Sequence, residues 1–211
     1  MIALDLAGHG ESGRDRQKWG IAEFAQDVLA IIDAERVPRA ILVGNSLGGA
    51  VAVAAALLAG PRTRAVIGVD TFHDMGRRID ARWAMEQADA WRCDFDGQLN
   101  AMLGALFHRD AAPSLVAEVR RRMSRTPPEI VGAMFASFAG HLTAASARQL
   151  RVPVRCINGD LFPTDIHAIR QFLADFDAAV LPHTGHFPML ERPDEFIRKL
   201  AETLASMDEK R

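Results

Sequence analysis

Gly44-Asn45-Ser46-Leu47-Gly48 sets a serine between two glycines, after the apolar run Ala40–Val43 and before the Ala- and Leu-rich segment Leu47–Ala59. A serine hydroxyl is a weak nucleophile until its surroundings activate it, and a sharp strand-to-helix turn is one way to begin. The turn lifts Ser46 Oγ above the strand ends. The helix that follows turns its free N–H groups and the positive end of its dipole toward developing negative charge, so the Leu47 N–H is the expected oxyanion donor. Such a turn needs a strained backbone at the serine, and the flanking glycines let the neighbouring chain pass. The spacing therefore points to nucleophilic acyl transfer through Ser46. The plainer alternative is a serine that only caps the following helix.

The elements that must hold this turn alternate along the chain. Ile2–Leu6, Ala40–Val43, Ala65–Val69, Val154–Ile157 and Ala178–Leu181 read as short buried strands, several of them stopped by glycine. Ile21–Glu35, Leu47–Ala59, Thr164–Asp175 and Asp194–Met207 read as helices; Gly60-Pro61 ends the second. Strands spaced by helices predict an α/β fold with a mainly parallel sheet covered on both faces. From Arg77 to Arg148 the rhythm breaks. Helical pieces at Trp83–Trp91, Leu99–Phe107, Ser114–Ser124 and Glu129–Phe138 follow one another with no convincing strand. The expected organisation is a core of residues 1–74 and 149–211 with a helical lid inserted at 75–148.

Composition narrows the partners. The 211 residues are 49% hydrophobic and 25% charged, with 25 Lys and Arg against 27 Asp and Glu, a net charge of −2. No basic excess is available for phosphates or anionic lipid, so neither nucleic acid nor a membrane is expected as a partner. The apolar run Ala50–Ala59 is too short to span a bilayer. Two cysteines, Cys93 and Cys156, make no disulfide framework, and a cytoplasmic location is the default expectation.

Asp5-Leu6-Ala7-Gly8-His9-Gly10-Glu11-Ser12, then Gly44-Asn45-Ser46-Leu47-Gly48-Gly49, then Gly185-His186-Phe187-Pro188-Met189-Leu190-Glu191 together resemble the α/β-hydrolase fold superfamily, in particular its lid-bearing esterase and perhydrolase-like members. The resemblance runs over essentially the whole chain. It implies that His186, in the loop after the last strand, is the general base, with chain order serine, acid, histidine. His183 is a weaker candidate. His9 and His73 are expected at the rim of the site, and His108, His141 and His167 in the lid or on the surface.

Two acids remain open. In most relatives the acid follows a G-x-x-D pattern; here Asn158-Gly159-Asp160-Leu161-Phe162 has phenylalanine at that position and Asp160 two residues early. Some members place the acid directly after the strand that follows the nucleophile helix, where Asp70 stands. Asp160 is the first choice and Asp70 the second. The resemblance also implies three strands before the one at Ile2–Leu6, with a His-Gly loop giving a second oxyanion N–H, so the sheet is expected to be N-terminally truncated. A weak catalyst that associates with its own copies through an exposed sheet edge follows from that.

The expected activity is cleavage of a small carboxylic ester through an acyl-enzyme. Amide, lactone or carbon–carbon substrates are alternatives within the same chemistry, and an inactive hydrolase-fold protein that binds an apolar ligand is the alternative outside it. The triad itself requires no metal or organic cofactor, and none is expected. Trp83, Met102, Leu103, Phe107, Met134 and Phe135 are candidates for an acyl pocket.

Overall fold

A computed structural model describes residues 1–73, 79–138 and 147–208. Four strands form one all-parallel sheet in the order β1 (Ala40–Asn45), β2 (Thr63–Val69), β3 (Val154–Gly159), β4 (Phe176–Leu181). The sheet is built from period-two alternation. On one face Val66, Val154, Cys156 and Phe176 join a core with helices α1 (Ile21–Ala34) and α2 (Leu47–Ala59). On the other, Ala65, Ile67 and Val69 meet the last helix, Pro193–Asp208, through Met207 and Phe196. Burial on both faces explains why β2 reads as a continuous apolar run rather than an alternating one. Alanine dominates α2 because small side chains let it lie between the sheet and α1; Ala52, Ala55, Ala56 and Ala59 are all buried.

Two expected elements differ. Ile2–Leu6 is not a strand: it is irregular and largely exposed, and β1 is the edge of the sheet with no strand on its outer side among the described residues. An apolar run becomes a strand only when a neighbour supplies hydrogen bonds, and here none does. The helix expected at Thr164–Asp175 shortens to Ile166–Arg170, capped by Asp165, whose carboxylate accepts the Ala168 N–H at 2.9 Å. Residues 171–175 then turn back to begin β4.

Between β2 and β3 the described residues 79–138 form α3 (Ala81–Cys93), α4 (Phe95–Leu106), α5 (Pro113–Met123) and α6 (Pro128–Ser137), with no strand among them. The bounds expected for the lid, 75 and 148, fall partly outside the described residues, as does His141. The helices share a small core of their own. Trp91 stacks on Phe135 with ring centroids 5.3 Å apart, and Leu99, Leu103 and Val119 close around them. That core is fastened to the sheet domain by Phe107, whose ring lies 5.0 Å from that of Phe187. No helix among the described residues is long and apolar enough to cross a membrane.

Candidate active site

Ser46 stands between β1 and α2 with φ 51° and ψ −113°, the strained turn that the sequence predicts. Its side chain makes no capping hydrogen bond, so the plain capping role is not what the serine does. Leu47 is the first residue of α2, and its N–H has no intrahelical acceptor. The glycines share the steric work differently from the expectation. A Cβ on Gly44 would stand 2.1 Å from the Gly48 carbonyl carbon, whereas nothing lies near Gly48 itself; Gly49 carries the second close approach, against Thr71 Cγ2 at 2.7 Å.

The carboxylate beside His186 is the second choice, Asp70, and not Asp160. Nδ1 of His186 lies 2.5 Å from Oδ2 of Asp70, while Asp160 is exposed and accepts the backbone N–H groups of His183 and Thr184 at 2.9 and 3.0 Å. Register explains the difference. β2 and β3 pair with Val69 opposite Ile157, so Asp70 leaves the sheet at once and points along its C-terminal end. Asp160 directly follows Gly159, the last residue of β3 paired with β4, and its exposed carboxylate is taken up by the His183 and Thr184 N–H groups of the loop after β4. Asp160 shapes the loop that carries His186 instead of touching its ring.

Asp70 is fully buried and well provided with donors. Its Oδ1 accepts the Gly159 N–H at 2.8 Å, and Nε2 of a second histidine, His73, stands 3.4 Å from Oδ2. Burial pushes the carboxyl pKa up, but the hydrogen bond from His186 and the nearby His73 ring outweigh it and hold Asp70 below its ordinary value near 3.8. It is therefore an anion at neutral pH. His73 is in turn fixed by Thr164, with Nδ1 and Oγ1 3.1 Å apart. The sequence placed His73 only at the rim; its contact with the acid was not foreseen.

Asn45 was not foreseen at all. Its side-chain amide donates to the carbonyls of Val69 at 2.9 Å and His186 at 3.0 Å. One residue before Ser46, it thus joins the main chains that carry the serine, Asp70 and His186. In sequence it is only the variable position of a five-residue motif.

Ser46, Leu47 and His186 line one cavity of about 800 Å³ at the C-terminal end of the sheet. Its outer wall comes from the helical block, including Trp91, Leu99, Met102, Met134 and Phe135. Of the expected pocket residues, Leu103 and Phe107 are instead packed inside that block, and Trp83 is exposed. His9 does line the cavity. A strained serine and an imidazole lining one largely apolar chamber, with a buried carboxylate behind the imidazole, are the groups needed for acyl transfer.

Residues 1–199 match the model of the family described as "Alpha/beta hydrolase family". The chain belongs to the alpha/beta hydrolase family. Among relatives of this alpha/beta hydrolase, a pimeloyl-[acyl-carrier protein] methyl ester esterase of Nitrosospira multiformis is 26% identical, the match covering 93% of this chain and 81% of that protein. A 2-hydroxy-6-oxo-2,4-heptadienoate hydrolase of Pseudomonas putida is 25% identical over 99% of this chain and 79% of its own length. Among solved structures, a thermophilic esterase from Thermogutta terrifontis superposes with a TM-score of 0.81 at 22% identity, covering 96% of this chain and 78% of the other. The protein is an enzyme of the hydrolase class.

Proposed function

We propose that this hydrolase cleaves a carboxylic ester through an acyl-enzyme, with Ser46 as nucleophile, His186 as base and Asp70 as the group that orients it. The observation that carries the reading is the 2.5 Å contact between buried Asp70 and His186, which lines the same cavity as Ser46. Asp70 holds the imidazole with its Nδ1 protonated, which leaves Nε2 free to accept the serine proton as Oγ attacks the ester carbonyl. The carbonyl oxygen gains negative charge beside the Leu47 N–H and the N-terminus of α2. His186 then protonates the leaving alcohol, and a water molecule repeats the sequence to release the acid.

The helices of residues 79–138 act in this reading as the lid, and their apolar side chains favour an ester with an apolar acyl or alcohol group. The test is hydrolysis of p-nitrophenyl esters of increasing chain length. Activity rising with chain length, and falling by about 10³-fold or more in Ser46→Ala and His186→Ala with unchanged circular dichroism, is the expected result. Comparable rates in parent and Ser46→Ala would refute it.

A further inference from the structure

Away from the cavity, His108, Asp110 and His183 place one possible ligand atom each within 4.8 Å of one another. His108 and Asp110 follow α4, and His183 sits on the turn that leads to His186. The two imidazole rings meet edge to face with centroids 5.6 Å apart. Nδ1 of His108 and a carboxylate oxygen of Asp110 stand 3.3 Å apart. That spacing is what a tetrahedral ion imposes: metal–ligand bonds of about 2.0–2.1 Å put neighbouring donors about 3.3–3.4 Å apart. Two side-chain donors are already at that separation, His108 Nδ1 also accepting the Asp110 N–H at 3.3 Å, and the exposed His183 offers a third within 4.8 Å.

The backbone around them is fixed in advance. His183 has φ 54°, a left-handed conformation that costs energy for a side chain of this size. Asp160 holds it there by accepting the N–H groups of His183 and Thr184. Farther along the same stretch, the Glu191 carboxylate accepts the Gly185 N–H at 3.0 Å and, from the facing segment, the His108 N–H at 3.2 Å, while the Leu106 carbonyl accepts the N–H of His186 at 2.7 Å. The two ligand-bearing segments are therefore clamped together before any ion arrives, which lowers the ordering cost of binding.

We propose that His108, Asp110 and His183 form a binding site for a divalent transition-metal ion of the zinc class. Two imidazoles and one carboxylate suit Zn²⁺, Co²⁺ or Ni²⁺, and offer too few oxygens for Ca²⁺ or Mg²⁺. A bound ion takes water as its remaining ligand. It lies outside the residues that line the cavity and fastens the segment after α4 to the loop that carries His186.

The test is isothermal titration of the full-length, untagged chain with zinc chloride, alongside thermal melting with and without zinc. One equivalent is expected to bind and to raise the melting temperature. His108→Gln, Asp110→Asn and His183→Asn should each weaken binding by at least about tenfold, since losing even an outer partner of a metal site costs about 10–100-fold. Asparagine tolerates the left-handed backbone at 183, and the exposed position of Asp110 makes Asp110→Asn a variant that folds. His186→Gln should bind zinc as the parent does. Absence of one-to-one binding in the parent, binding unchanged in Asp110→Asn, or binding lost in His186→Gln would each overturn the proposal.

Discussion

Asp70 Oδ2 stands 2.5 Å from Nδ1 of His186, although 116 residues separate the two in the chain. The contact is made at the C-terminal end of the sheet, where the strand that ends at Val69 releases Asp70 and the loop after β4 returns His186 above it. It fixes which carboxylate governs the imidazole.

Exchange of the two acids for amides should therefore have unequal effects. Asp70→Asn leaves the shape but stabilises the wrong tautomer of His186, and a loss of roughly 10⁴-fold in kcat is expected. Asp160→Asn should keep kcat within about tenfold, because Asp160 acts only on the backbone of residues 183 and 184. Steady-state kinetics on one p-nitrophenyl ester compares them; a larger loss in Asp160→Asn would reverse the assignment.

Asn45→Ala should lower kcat with little change in KM. The amide bridges the carbonyls of Val69 and His186, so its loss frees the histidine loop from the strand end without altering the apolar wall. The Val69 carbonyl keeps the Ser46 N–H, but leaving the His186 carbonyl without its donor should also cost about 1–3 kcal/mol of stability, read from urea unfolding. Unchanged kcat would show that the bridge positions nothing.

Stability should fall in acid with a contribution from Asp70. Its carboxyl pKa is lower in the folded chain than its ordinary value near 3.8, so the unfolded chain binds the proton more readily. Stability from this group is full above that ordinary value and is lost as pH drops through the folded pKa. Urea midpoints measured between about pH 5 and pH 2 should decline in the parent and decline less steeply in Asp70→Asn. Parallel declines would contradict the pairing.

The two cysteines should differ sharply. Cys93 is exposed, whereas Cys156 is buried beside Thr71 and Gly68 and burial pushes its thiol pKa far up. A thiol reagent should modify one residue in the native enzyme and both only after denaturation. Rapid modification of Cys156 in the native state would mean that the strand ends open.

Much of this site is legible in the sequence because its signals are local. The turn at Ser46 is written in five consecutive residues, and His186 in a loop between a strand and the last helix. The acid is not local. Asp70 and Asp160 both follow strands of the same parallel sheet, and only the register of β2 against β3, with the path of residues 182–187, decides which one meets the imidazole. Asn45 and His73 act through distant backbone or another side chain, which spacing does not reveal. Ile2–Leu6 misleads for the opposite reason: its apolar pattern is a strand's, but strand formation depends on a neighbour that the pattern does not encode.

The most direct measurement is labelling of the native enzyme with a fluorophosphonate, which reacts only with an activated serine, followed by intact-protein and peptide mass spectrometry. A single adduct on the peptide containing Ser46 is expected, absent in Ser46→Ala and strongly slowed in His186→Ala and Asp70→Asn. An unlabelled parent, or an adduct that persists in Ser46→Ala, would contradict Ser46 as the nucleophile.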